Sequence, residues 1–148
     1  MKDEQRFKGL HTTIPVEQME PLIFSATVRT MNAAPDDPDL RKMAGDYLGR
    51  LAWYSRAFTD VGPEESLRAN CDVRISEVCA LAFQSMTRDY CGFSLSDGPI
   101  NVLRHVGEMD DQAFMQYRSV RIAAVVVQEY IVASLTEGPL APPDIQQL

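Results

Sequence analysis

The run SVRIAAVVVQEYIVASL, residues 119–135, is the most apolar stretch of the chain, and Arg121, Gln128 and Glu129 are its strongly polar members. A segment of this kind has to be enclosed by a bilayer, a sheet, the middle of a helical bundle or a partner. A membrane span needs about 20 mainly apolar residues with few charges. Here Arg118 and Arg121 precede the apolar core, and Gln128 and Glu129 interrupt it, which argues against a span. The β-branched residues would suit a strand, but no turn signal separates Asp110 from Gly138 and no other segment alternates at period two. A lone strand would have no partner. Length therefore favours a single helix from Asp110 and Asp111 to about Glu137, stopped by Gly138 and Pro139. On a wheel at about 100° per residue, Arg118, Arg121, Gln128 and Glu129 share one quarter of the circumference, and a helix apolar over the rest belongs inside a fold. The expected architecture is all-α, a compact bundle of four to five helices with the 110–137 helix central. That helix is flanked by two others starting near Pro38 and Pro63. Use of part of it as a homodimer interface is the alternative.

Punctuation along the chain supplies the other helices. "TTIP" places Thr13 before Ile14 and Pro15 as a helix start, with a restart near Pro21. "APDDPDL" then ends that helix and opens the next: Asp37 can accept from free backbone amides, and Pro38 suits the first helical position. From there Leu40, Met43, Ala44, Tyr47, Leu48, Leu51, Tyr54, Ser55 and Phe58 recur at helical steps. "VGPEES" repeats the device ahead of Leu67, Cys71, Ile75, Val78, Ala82 and Met86, a helix expected to run to about Tyr90. Gly92 marks its stop, and a short helix is expected over 99–106. The predicted organisation is an N-terminal arm over 1–13, a single helical domain over 14–138 and a flexible tail over 139–148.

Composition narrows the function classes. The chain has 148 residues, with 21 acidic against 14 basic side chains and a net charge of −7. That sign repels phosphate backbones and anionic lipid, and favours solubility or docking to a basic partner. Direct nucleic-acid binding and a membrane location are therefore not expected. MKDEQRFKGLHTT lacks the apolar segment of a secretory signal. Three cysteines, Cys71, Cys79 and Cys91, suit free thiols in a reducing cytoplasm.

Catalytic and metal signatures are sparse. No C-x-x-C pair occurs, His11 and His105 are far apart, and "DDPD" lacks the alternating ligands of a calcium loop. No cofactor is expected. There is no G-x-S-x-G, no catalytic-cysteine signature and no glycine-rich phosphate loop. Cys91 and His105 could meet only through the fold. A polar site converging in three dimensions would draw on His105, Arg118, Arg121 and Glu129 with Tyr47 or Tyr54, making an enzyme or small-ligand-binding bundle the alternative function. A helix-turn-helix over 99–121 is a second alternative. Its recognition end, however, carries Glu108, Asp110 and Asp111, which would face phosphates with like charge. Paired acids such as Glu17 and Glu20 read as solvated helix starts.

Trp53 is the most suggestive residue. On the wheel it lies nearly opposite the Leu40–Leu48–Leu51–Phe58 face, beside Lys42, Gly45, Gly49, Ala52 and Ala57. Glycine inside a helix costs about 1 kcal/mol relative to alanine, and tryptophan is enriched where partners dock. Trp53, Lys42, Gly45, Gly49 and Arg56 are therefore the candidate partner-binding residues, although packing of this helix on both sides within its own domain would use the same residues. The expected function is that of a small acidic cytosolic protein that binds another macromolecule: an inhibitor, an immunity or anti-defence factor, or an adaptor. Its expected partner is a protein, basic or nucleic-acid-associated.

Overall fold

The computed structural model describes residues 8–33, 37–57, 72–92, 107–108 and 110–138. Four long helices carry the described part: α1 (Met19–Ala33), α2 (Pro38–Ala57), α3 (Ile75–Cys91) and α4 (Asp111–Glu137). Two short strands, β1 (Thr13–Pro15) and β2 (Asp72–Arg74), and two single 3-10 turns, Lys8–His11 and Val16–Gln18, complete it. The protein is an all-α bundle with a small two-stranded sheet.

Local chemistry sets the helix ends. The Asp110 carboxylate accepts from the Ala113 amide at 2.7 Å, satisfying one of the free donors at the start of α4. Asp37 does the same for α2, accepting from the amides of Asp39 and Leu40 at 3.1 and 3.2 Å. α3 stops at Gly92, whose left-handed φ of 79° lets its amide return to the Arg88 carbonyl. α4 stops at Gly138, where φ is 85°. The Arg29 guanidinium of α1 pairs with Glu137 and donates to the Gly138 carbonyl at 3.1 Å, so a cation closes the negative end of α4.

α4 packs against α1, α2 and α3, burying Val120, Ala123, Ala124, Val127 and Ile131 on one stripe. α2 shares this position, since it too packs against the three other described helices and supplies Tyr47, the largest fully buried side chain among the described residues. By length and mean hydropathy α4 is long and apolar enough to cross a bilayer, but its buried stripe is filled by the other three helices.

Several expectations need correction. α4 is not enclosed around its girth. Only 33% of its most apolar window is buried, Phe114, Met115 and Ile122 are exposed, and Val125 and Val126 are half-buried beside a fully buried Val127. Its buried residues Val120, Ala123, Ala124, Val127, Ile131 and Ser134 fall on one stripe of the wheel. Gln128, grouped on the wheel with the outward arginines, turns inward and donates to the Tyr47 hydroxyl at 3.0 Å. The helix start at Thr13 is instead β1, paired antiparallel with β2 in the register Thr13↔Arg74, Ile14↔Val73 and Pro15↔Asp72. The restart expected near Pro21 is found: α1 begins at Met19, with Pro21 in its first turn. The helix expected to run unbroken from Pro63 to about Tyr90 is interrupted at Asp72–Arg74, which is extended, and α3 begins at Ile75. Its later face is as expected, with Ile75, Val78, Ala82 and Met86 all buried. Residues 58–71, the helix expected over 99–106 and the tail over 139–148 lie outside the described residues.

Candidate functional site

α1 and α2 pack side by side and leave an apolar groove of about 390 Å³ between them. Val16, Met19, Ile23 and Phe24 form one wall, and Gly45, Leu48, Gly49 and Ala52 form the other. The glycines sit where they do because the α2 pattern turns Ala44, Tyr47, Leu48 and Leu51 into the core and leaves Gly45 and Gly49 on the flank. A methyl group at Gly45 would touch only the Met31 Cε, at 3.7 Å, and one at Gly49 would meet nothing within 4 Å. No neighbour within the described fold therefore requires Gly49.

Two hydroxyls line the groove, and both are already engaged. Thr27 donates to the Ile23 carbonyl at 2.7 Å, and Ser55 to the Leu51 carbonyl at 2.7 Å. The floor therefore offers few hydrogen-bonding groups, and the charged residues of the lining are Glu17, Glu20 and Arg56. Glu17 and Glu20 are exposed and have no ion-pair partner among the described residues.

The candidate residues fall as follows. Gly45, Gly49 and Arg56 line the groove. Trp53 is 71% exposed, one turn beyond Gly49 and about 40° from it around the helix. It stands beside the groove and is not part of its lining. Lys42 is exposed on the same helix. The α1 wall has no mark in the sequence. Phe24, 48% exposed, lies off the main apolar face of its helix, and Glu17 and Glu20 have the pattern of ordinary solvated helix starts.

Other polar clusters hold the fold together. Arg50 on α2 donates to Asp46 at 2.9 Å and to Asp89 of α3 at 2.6 Å, and also bonds Ser85. The Tyr90 hydroxyl donates to Asp46 at 2.6 Å. Partial burial works to raise the Asp46 pKa, but the hydrogen bonds from Arg50 and Tyr90 outweigh it and hold the carboxyl below its ordinary value. The Tyr90 hydroxyl is raised in turn, chiefly by its bond to Asp46. Tyr47 donates to the Cys79 carbonyl at 3.1 Å, and burial pushes its own ionisation well up. Burial also pushes the Cys79 thiol up to about 11, which makes it a poor nucleophile near neutrality.

Of the residues suggested for a polar site, Tyr47 and the two arginines lie apart. Tyr47 is wholly buried, whereas Arg118 and Arg121 line a second surface depression of about 370 Å³ with Phe114, Ile122, Val125 and Val126. The Arg121 guanidinium lies 6.0 Å from the Tyr117 ring centre. His105 lies outside the described residues. Among the described residues, no group of three or more His, Cys, Asp or Glu side chains could hold a metal ion.

No family model, no curated protein and no solved structure matches this chain.

Proposed function

We propose that this chain is a small acidic binding protein that acts by occupying a protein partner through the α1–α2 groove and the Trp53 edge beside it. An inhibitor, an immunity or anti-defence factor, or an adaptor would work in this way. The observation that carries the reading is Trp53, 71% exposed beside an apolar groove whose glycine wall no described neighbour requires. An exposed tryptophan is an amphipathic, low-entropy anchor of the kind that dominates interface energies. The net charge of −7 would steer the chain toward a basic partner and speed encounter at low salt.

The test is quantitative capture from native lysate, with each co-purifying protein measured on wild type and on Trp53→Ala. A hot-spot anchor is worth about 2 kcal/mol or more, which is roughly a thirtyfold loss of affinity for one partner. Recovery of the same proteins at the same strength on both baits would remove the Trp53 surface from consideration.

A further inference from the structure

Building on the binding reading above, we infer that the α1–α2 groove receives an amphipathic helix of the partner, with Lys or Arg side chains at one end that meet Glu17 and Glu20. Four observations select this occupant. Gly45, Gly49 and Ala52 follow at steps of four and three along α2, so a strip of small residues runs along that wall beside Leu48. Such a strip lets another backbone come close, and a third helix is the usual filler of a groove between two helices. The α2 wall runs from Gly45 to Arg56, about 16 Å at 1.5 Å per residue, which matches about three turns of a helix with anchors at i, i+3 or i+4, and i+7. The groove chemistry then chooses among helices. Thr27 and Ser55 already donate to their own backbones, so the floor favours apolar anchors over a polar small molecule. The lining carries Glu17 and Glu20 against Arg56, a net of −1, and the acidic pair at the N-terminal end of the α1 wall has no ion partner among the described residues, so the groove disfavours acidic occupants and favours basic ones.

The experiment is selection from a displayed library of helical peptides on the full chain, with counter-selection on Gly49→Leu. A Cβ at position 49 meets nothing within 4 Å, so the leucine can project into the groove, and circular dichroism checks that the variant folds. Trp53 is the chain's one tryptophan, and its fluorescence reports the binding of individual peptides. Winning peptides should carry helical apolar spacing with Lys or Arg clustered at one end, and should bind Gly49→Leu at least tenfold more weakly. The double variant Glu17→Lys/Glu20→Lys should bind them about tenfold more weakly at low salt and select acidic ends instead. Glu17→Gln/Glu20→Gln should fall between.

Peptides that lose binding on Gly49→Leu but ignore the charge reversal would overturn the basic occupant while leaving the binding reading in place. Extended or proline-rich winners would overturn the helical occupant in the same way. A wild-type dimer in sedimentation that Gly49→Leu abolishes would make a second copy the occupant and end this proposal. If no peptide distinguishes wild type from Gly49→Leu, the groove loses both readings.

Discussion

At Gly49 the backbone of α2 forgoes helix propensity that alanine would supply, and a methyl group there would have no neighbour within 4 Å to forbid it. Gly49→Ala should therefore raise the stability of the free chain by about 1 kcal/mol, seen as a Tm higher by about 2–4 °C. Urea denaturation checks the size, and a neutral or destabilising result would mean that the site is crowded after all. The same methyl group should weaken partner docking, separating a residue kept for binding from one kept for folding. Cys79 makes a second prediction, from burial. Its thiol ionises at about 11 in the fold against an ordinary 9.0, so the unfolded chain loses this proton first. The contribution is intact below about pH 9 and is lost as pH rises from about 9 to about 11, the window in which stability should fall. Tyr47, raised by burial, acts with the same sign at higher pH. Denaturation curves between pH 8 and 11 should show a shallower decline from 9 to 10 in Cys79→Ala than in wild type, and equal slopes would refute the assignment.

Helices announce their ends through chemistry confined to a few consecutive residues, which is why Asp37, Asp110, Gly92 and Gly138 are legible in the sequence. The carboxylate–amide bond at Asp110 is the clearest case. Asp110→Ala should cost about 1 kcal/mol, whereas Asp110→Asn should keep most of the cap. Chemical denaturation of the pair measures it, and equal losses would show that charge rather than the hydrogen bond matters at this end. Strands are not legible. β1 and β2 have three residues each, too few to display a period, and they pair across a long stretch of chain. The Thr13–Pro15 segment also carries residues that can open a helix, so its local chemistry points away from the pairing of Ile14 with Val73. The candidate site is half legible for a related reason. Gly45, Gly49, Trp53 and Arg56 lie on one helix and share a wheel, whereas the opposite wall depends on which helix packs beside α2, and no single helix records that.

For the whole molecule, the question raised by the 119–135 segment is one of sidedness. Its apolar side chains surround α4, so composition could place the helix in the bundle but could not choose its inner face. The choice is made by tertiary partners: Gln128 reaches Tyr47, Ser134 accepts from Ser25 at 3.1 Å, and Val120, Val127 and Ile131 meet the core. Ile122, 44% exposed, points the other way. A lysine there keeps its ammonium in water, so Ile122→Lys should change stability by no more than about 0.5 kcal/mol. Val127 is fully buried, and Val127→Lys would bring an unpaired charge into a closely packed core. It should cost more than about 4 kcal/mol, enough to unfold a domain of ordinary stability. Thermal unfolding followed by circular dichroism compares the two. If both lysines cost the same, α4 is not seated as described. If Ile122→Lys alone is destructive, the helix is turned about its axis, and the Tyr47–Gln128 bond and the packing of α1 and α2 on it would have to change together.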